Sequence, residues 1–168
     1  MRKKRETIFL KALEENQNKI FRICSVYSKD SEDAKDLFQE VLVNIWGALP
    51  KFKSNSSINT WVFKIALNVC LRFKSKHTKN QNILIRLDSL TIANIGSEEK
   101  SDVENEKLNN LRTCVKTLNE GDKAIVALYL EGLAYREISH ILGLSENHIA
   151  VKVKRIKLKL LNCINELL

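Results

Sequence analysis

A helix-turn-helix pattern at residues 135–155 constrains the fold of this chain more than any other feature of its sequence. The pattern predicts an amphipathic helix, a tight turn at Gly143 and a second helix with Ser145 as its N-cap. Apolar residues occupy the positions that a core between two such helices requires, namely Ile138, Leu142, Leu144, Ile149 and Val153. This arrangement is typical of proteins that place the second helix in the major groove of DNA.

The second helix of this pattern is strongly basic. Residues 147–165 contain no Asp or Glu, and the cations of this stretch are Lys152, Lys154, Arg155, Lys157 and Lys159. One helical stripe is apolar through Ile149 and Val153, whereas another carries His148, Lys152 and Arg155. A basic stripe can simply keep a surface helix soluble. Its position directly after the turn favours DNA binding over that alternative.

A second basic segment lies in the first half of the chain. The 168 residues carry a net charge of +8, which favours a polyanionic partner. No Asp or Glu occurs between Glu40 and Asp88, and the cations of this segment are Lys51, Lys53, Lys64, Arg72, Lys74, Lys76, Lys79 and Arg86. Two separated basic segments predict two contacts with the polyanion.

The low content of helix-breaking residues predicts an almost wholly helical protein, because the chain has one Pro and five Gly. Before the helix-turn-helix pair, apolar periodicity predicts a helix after Asp33 that Pro50 ends, and further helices at residues 8–27, 58–76, 107–118 and 122–130. Residues 88–106 are acidic and contain Gly96, which is typical of a linker. We therefore expect an all-α fold with two small helical domains, at residues 1–80 and 107–168, joined by a flexible linker at residues 81–106.

The remaining reactive residues argue against a metal, a cofactor or a catalytic site. The four cysteines form no C-x-x-C pair, so we expect buried thiols in a reducing cytoplasm, at Cys24, Cys70, Cys114 and Cys163. The three histidines lack the spacing of a metal site or a catalytic triad, so we expect no enzymatic activity. No apolar segment is long enough for export or membrane insertion, which predicts a cytoplasmic protein.

Two strings in the first half of the chain carry a family resemblance. DAKDLFQEVLVNIWGALPKF at residues 33–52 and TWVFKIALN at residues 60–68 closely resemble region two of bacterial RNA polymerase sigma factors of the extracytoplasmic-function group. The C-terminal part resembles region four of the same group, in the same order and with a similarly short linker. The resemblance implies a transcription initiation factor that binds core RNA polymerase. Region two would read and melt the minus-ten promoter element, and region four would read the minus-thirty-five element.

The resemblance also implies where the polymerase binds. In this family an acidic and amide face of the second helix contacts the clamp helices of the largest polymerase subunit, and the flap is a further polymerase contact. The matching residues are Asp36, Gln39 and Glu40, and Val43 falls on the same stripe. A mixed acidic and apolar patch on a basic protein suits protein binding, although a solvated acidic face is the alternative.

The minus-ten element would be bound by the loop and the helix that follow Pro50. The residues implied are Lys53, Ser54, Asn55, Ser56, Ser57, Thr60, Lys64, Asn68 and Arg72. The small polar residues of the loop could form a pocket for a base taken out of the stack, Asn68 could bind a base edge, and Lys64 and Arg72 could hold phosphates. Trp61 falls in the packing stripe, so a core role is favoured over base stacking.

The minus-thirty-five element would be bound by the second helix of the helix-turn-helix. The residues are His148, Ala150, Val151, Lys152, Lys154 and Arg155. Ala150 and Val151 stand where the family usually has a basic and a small polar residue, so apolar contact with thymine methyls could contribute. Arg155 keeps the bidentate option for guanine, whereas Lys152 suits a phosphate. Ser139 replaces the usual Ala of the motif.

Two other classes of protein compete with this interpretation. A stand-alone transcription regulator with the same C-terminal motif would need an effector or receiver domain, and the N-terminal half shows neither strand alternation nor a cluster of phosphoacceptor carboxylates. A nucleic-acid enzyme would need a catalytic site, which the sequence does not offer. Besides polymerase and promoter DNA, the resemblance makes an anti-sigma factor a plausible partner.

Overall fold

The computed structural model describes residues 1–75 and 102–168, and within them the regular secondary structure is entirely helical. The α-helices are α1 (Arg2–Val26), α2 (Ser31–Ala48), α3 (Ile58–Ser75), α4 (Asp102–Lys116), α5 (Glu120–Leu130), α6 (Tyr135–Leu142) and α7 (Glu146–Leu167), and a 3-10 turn (Leu49–Lys51) follows α2. They fall into two compact units, one built from α1 to α3 and the other from α4 to α7. The all-α fold with two helical domains is therefore confirmed.

The N-terminal unit is a bundle in which each of its three helices packs on the other two. The Asp30 carboxylate caps α2 by accepting a hydrogen bond of 2.9 Å from the backbone of Asp33. Pro50 lies in the 3-10 turn that ends the helix, as its missing N–H requires. The core is formed by buried apolar side chains from all three helices, including Ile20, Ile23, Leu37, Phe38, Leu42, Ile45 and Leu67.

Helix α1 begins at Arg2, six residues before the predicted start. The reason is tertiary, since the Arg5 guanidinium lies 4.1 Å from the ring centroid of Trp46 and donates a hydrogen bond to the Trp46 carbonyl. The Phe9 ring meets the same indole edge-on at 5.2 Å. These contacts with α2, together with a 3.3 Å ion pair between Arg2 and Glu6, hold a first turn that is otherwise rich in like charges.

The C-terminal unit is organised around α7, which packs against α4, α5 and α6. Its core includes Val115, Ile125, Leu128, Ile138, Ile149, Val153 and Ile156. Helix α4 begins at Asp102, so residues 102–106, which the sequence assigned to the linker, are helical. Acids such as Glu104 and Glu106 suit the N-terminal end of a helix. The rest of the predicted linker, at residues 81–101, lies outside the described residues.

The four cysteines do not share one state, contrary to the expectation of four thiols. Cys24 and Cys70 are free and buried, with their sulfur atoms 3.9 Å apart, and burial raises the pKa of Cys24 above its ordinary value. Cys114 and Cys163 instead form a disulfide between α4 and α7. They are 49 residues apart in sequence, and only helix packing brings their Cα atoms within 5.9 Å.

Candidate nucleic-acid interface

The acidic patch predicted on α2 lies at the surface of the N-terminal unit. Asp36 and Glu40 are exposed, whereas Gln39 and Val43 are half-buried beside them. Asn44 donates hydrogen bonds to the Glu40 carbonyl oxygen at 2.8 Å and to its carboxylate at 3.4 Å. The patch therefore presents two carboxylates next to a partly apolar surface, a combination suited to a protein partner.

Two of the predicted DNA-binding residues, the exposed Ser57 and the buried Thr60, are hydrogen-bonded to each other at the start of α3. The Ser57 hydroxyl accepts a hydrogen bond of 3.1 Å from the Thr60 backbone and donates one of 2.9 Å to the Thr60 hydroxyl. Thr60 is buried, with only 8% of its surface exposed. Asn16 of α1 fixes the same end of α3 through a 2.8 Å hydrogen bond to the side chain of Asn59. This pair of contacts holds the helix terminus that the loop leads into.

The loop before α3 remains open to a ligand. Lys53, Ser54 and Asn55 are exposed, and Ser56 is half-buried. Ser54 has a φ of 56°, in the left-handed region that residues other than glycine adopt at a cost of about 1–2 kcal/mol. The surrounding structure therefore holds this residue in a conformation that it would adopt only rarely on its own.

Three predicted DNA-binding residues line one exposed side of α3. Lys64, Asn68 and Arg72 recur every four residues, and all are exposed. The Arg72 guanidinium donates hydrogen bonds to the Asn68 carbonyl at 3.4 Å and to the Asn44 side chain of α2 at 3.5 Å. Trp61 packs against the ring of Phe52, with a centroid distance of 5.0 Å, but it is only half-buried and does not belong to the buried core predicted for it.

The helix-turn-helix forms as predicted, with Gly143 in the left-handed region at a φ of 70°. Its N–H donates a 2.9 Å hydrogen bond to the Ser139 carbonyl, and the Ser139 hydroxyl donates to the carbonyl of Leu144 across the turn. Ser145 caps α7 by accepting from the His148 backbone at 3.1 Å. A serine at position 139 thus adds a side-chain bond that the usual alanine could not make.

Helix α7 buries one stripe and exposes another. Its buried residues are Ile149, Val153, Ile156 and Leu160. His148, Val151, Lys154 and Arg155 are exposed, whereas Ala150 and Lys152 are half-buried. Four of the six residues predicted to contact DNA are thus exposed in the N-terminal half of the helix, and the other two are half-buried beside them.

Lys152 is engaged by the protein itself, through an acid that the sequence analysis missed. Its ammonium lies 3.2 Å from one carboxylate oxygen of Asp122 in α5, and that of Lys159 lies 3.0 Å from the other oxygen. Only 2% of the Asp122 side chain is exposed. Burial by itself raises the pKa of Asp122, but hydrogen bonds from Lys159 and Lys152 outweigh it and hold the pKa below its ordinary value. No periodicity could have signalled contacts that span 30 and 37 residues.

A third cation of α7 is also engaged. The Lys157 ammonium lies 4.7 Å from the ring centroid of Tyr129, and the hydrogen bond to Tyr129 raises the pKa of Lys157. Among the described ion pairs, none involves Lys154 or Arg155. These two side chains are the α7 cations best placed to meet an external anion.

Two properties of the described residues bear on other functions. Residues 1–75 and 102–168 contain no group of three or more His, Cys, Asp or Glu side chains placed to hold a metal ion. None of the helices in these ranges has both the length and the apolar character that crossing a membrane requires.

Comparison with known proteins identifies both units. The family model for sigma-70 region 2 matches residues 12–80, and the model for sigma-70 region 4 matches residues 108–160. RNA polymerase sigma factor YlaC of Bacillus subtilis is 29% identical over 131 residues, which cover 77% of this chain and 76% of YlaC. The extracytoplasmic-function sigma factor SigM of the same organism is 27% identical over 130 residues, covering 77% and 78% of the two chains.

Solved structures share the fold. CnrH, determined in complex with the cytosolic domain of CnrY, superposes with a TM-score of 0.70 at 16% identity, covering 96% of this chain and 90% of CnrH. The sigma factor RpoE of Bartonella quintana, determined with the anti-sigma factor NepR, has a TM-score of 0.62 at 18% identity, covering 95% and 96%. At such identities the likeness shows the fold.

Proposed function

The chain belongs to the sigma-70 family, in its extracytoplasmic-function group. We propose that it recognises promoters through three surfaces: the acidic patch of α2, the loop before α3 with the exposed side of α3, and the exposed face of α7. The protein is a transcription initiation factor that binds core RNA polymerase and directs it to promoters. The observation that carries the assignment of surfaces is the match of each compact unit to a different sigma region, in the family's order.

The acidic patch of α2 binds the polymerase. Asp36 and Glu40 offer exposed carboxylates on a chain whose net charge is +8, and Gln39 and Val43 add an amide and an apolar contact. DNA would repel such a patch, whereas a basic protein surface would be attracted to it. The clamp helices of the largest polymerase subunit are the proposed partner, with the flap as a second contact.

The loop before α3 and the exposed side of that helix bind the minus-ten element. Taking a base out of the stack costs a few kcal/mol, which contacts with the separated strand must offset. Lys53, Ser54, Asn55 and Ser56 line the proposed pocket, and Lys64, Asn68 and Arg72 hold the strand along α3. Ser57 and Thr60 support this surface from below by capping the helix.

The exposed face of α7 binds the minus-thirty-five element. Arg155 has the geometry for a bidentate contact with guanine, and Lys154 and His148 can meet phosphates or base edges. Val151 and Ala150 supply apolar contacts to thymine methyls. We propose that Lys152 contributes through its ion pair with Asp122.

The remaining aspects of the function follow from this role. A protein that works on core polymerase and the chromosome is placed in the bacterial cytoplasm, and its part in initiation is to bind and position, without a catalytic step of its own. CnrH and the Bartonella RpoE have each been solved with a partner protein, and an anti-sigma factor is proposed as a partner here as well.

Run-off transcription tests the proposal directly. Purified chain and core polymerase are incubated with fragments of genomic DNA, and the transcripts are mapped. A sigma factor produces discrete transcripts that neither core polymerase nor the chain produces alone. A stand-alone regulator would bind DNA yet leave core polymerase unable to initiate, and that outcome would contradict the proposal.

A further inference from the structure

We propose that Asp122 is a positioning residue for minus-thirty-five recognition, which orients α7 through Lys152 and Lys159 and withholds both lysines from DNA. The proposal rests on the assignment of α7 as the reading helix. Asp122 lies in the first turn of α5 and belongs to none of the surfaces described above.

The first observation is that the single carboxylate of Asp122 pairs with two lysines. Oδ1 of Asp122 lies 3.2 Å from the Lys152 ammonium, and Oδ2 lies 3.0 Å from that of Lys159. The two lysines are seven residues apart, so they leave α7 on the same side, two turns from each other. One acid therefore fixes α7 at two levels along its axis.

The carboxylate is itself held in place. Asn119 caps α5 by accepting a 2.8 Å hydrogen bond from the Asp122 backbone, and its amide donates to Oδ2 of Asp122 at 3.3 Å. With 2% of its side chain exposed, Asp122 has little room to follow a lysine that moves. The anchor on α5 is therefore rigid, and the lysines adapt to it.

The two lysines that pair with Asp122 precede and follow Arg155, the main candidate for base recognition. Arg155 follows Lys152 by three residues and precedes Lys159 by four, so it leaves the helix between their stripe and the exposed face. The apolar stripe resists rotation of α7 on its buried side, and the two ion pairs resist it on the flank next to Arg155. The direction in which Arg155 enters a groove thus depends on Asp122.

The same contacts change the charge that α7 offers to DNA. The sequence places five cations on the helix, but Asp122 neutralises one charge of the Lys152 and Lys159 pair and holds both ammonium groups at its own carboxylate. The non-specific affinity of a protein for DNA rises with the number of phosphates that its cations neutralise. Holding these lysines back favours discrimination between promoters over general affinity.

The test is Asp122→Asn in the full chain, assembled with core polymerase. This substitution keeps the shape of the side chain and removes its charge. The holoenzyme is titrated with a promoter recovered by run-off mapping and with the same duplex carrying a scrambled minus-thirty-five element, at several salt concentrations. We expect the promoter preference to fall by about tenfold, and the slope of log affinity against log salt to steepen by about one on scrambled DNA, as the lysines reach phosphates.

Two companion variants separate positioning from general loss of stability. Ile125→Val removes one methylene from a buried side chain of the same helix and should lower thermal stability without changing the preference or the salt slope. Adding Lys152→Gln and Lys159→Gln to Asp122→Asn should return the salt slope to that of the unaltered chain while the preference stays low. If Asp122→Asn does not fold, Lys159→Gln alone removes one anchor and should reduce the preference by about threefold without steepening the slope.

The outcomes distinguish this inference from the proposed function. Unchanged preference and slope in Asp122→Asn, or changes equal to those of Ile125→Val, overturn the positioning role. Arg155→Ala is measured in parallel. If it alters the preference while Asp122→Asn does not, only the positioning role fails. If Arg155→Ala leaves the preference intact, Arg155 does not read a base, and the positioning role argued through Arg155 fails while the other contacts of α7 stand.

Discussion

Cys114 and Cys163 form a disulfide that joins α4 to the C-terminal part of α7. Cys114 is fully buried and Cys163 half-buried, so the bond closes one side of the C-terminal unit while a reductant retains access from the Cys163 side. Disulfides are unusual in a reducing cytoplasm. The bond therefore makes the stability of this unit dependent on the thiol state of its surroundings.

Reduction of this disulfide should destabilise the C-terminal unit. A bridge across 49 residues restricts the unfolded chain and typically contributes about 2–5 kcal/mol. Thermal unfolding followed by far-ultraviolet circular dichroism should show a transition that moves to lower temperature when dithiothreitol is added. Both tryptophans lie in the N-terminal unit, so the tryptophan fluorescence transition serves as an internal control and should not move. Cys163→Ser should make the chain insensitive to the reductant, and a shift that persists in this variant would contradict the prediction.

Charge reversal at Glu40 should weaken binding to core polymerase. Glu40→Lys places a cation in the acidic patch of α2, and juxtaposing like charges across an interface costs several kcal/mol. Affinity for core polymerase, measured by fluorescence anisotropy of labelled chain, should fall by at least about tenfold. Glu14→Lys makes the same charge change at an exposed position of α1 and is the matched control. Equal affinities of the two variants for core polymerase would show that the patch is not part of the polymerase interface.

Removal of the Asn68 side chain should impair promoter opening more than polymerase binding. Asn68 is exposed between Lys64 and Arg72, where its amide can donate to and accept from an unstacked base. Asn68→Ala should reduce open-complex formation, measured by permanganate reactivity of minus-ten thymines, by about 5- to 100-fold. A template with a mismatched bubble at the minus-ten element should restore initiation, because the cost of unpairing has been removed. Failure of the bubble to restore initiation would place Asn68 at a different step.

Arg155 and Lys154 should differ in what they contribute to DNA binding. Arg155→Ala should cost about 1–3 kcal/mol on the cognate promoter and relax preference at one base pair. Lys154→Ala should weaken binding evenly on cognate and scrambled duplexes and reduce the salt slope by about one. Electrophoretic titration of the holoenzyme on a set of single-base promoter variants separates the two effects. Identical behaviour of the two alanine variants on all duplexes would show that Arg155 does not read a base.

The depressed pKa of Asp122 should make the C-terminal unit sensitive to acid. Because the pKa is lower in the folded state than in the unfolded state, the stabilisation is fully present above the ordinary aspartate value of ~3.9 and is lost as the pH falls through the folded value. The stability difference between the unaltered chain and Asp122→Asn should be constant above about pH 5 and should shrink in stronger acid. Urea unfolding across this range measures the difference. A difference that does not change with pH would contradict a stabilising ionised carboxylate.

The sequence predicted the helices where the determinants are local. The turn at Gly143 and the cap at Ser145 depend on residues within a few positions of each other, and the structure confirms both. The buried stripe of α7 also followed from spacing alone, because helical geometry fixes which residues share a face. The same reasoning missed the first turns of α1 and α4, whose ends depend on contacts or charges that periodicity does not register.

The candidate site was likewise predicted from the sequence only where the determinants are local. Spacing predicted that Thr60, Lys64, Asn68 and Arg72 would line one polar side of α3, and the last three do lie there exposed. It could not predict that the Thr60 side chain would be buried against the Ser57 cap, since burial depends on what packs above the helix. It also counted Lys152 as free for DNA, because nothing within one helical turn of that residue is acidic.

What the sequence determined by itself was therefore the set of helices, the helix-turn-helix and the family, all of which depend on short-range patterns. Only the tertiary structure decided that Asp122 would meet Lys152 and Lys159, and that Cys114 would meet Cys163. These partners lie 30 to 49 residues apart, and the packing of whole helices sets the distances between them. Hydrophobic packing is non-directional, so an apolar pattern predicts that helices associate but leaves open which polar side chains meet.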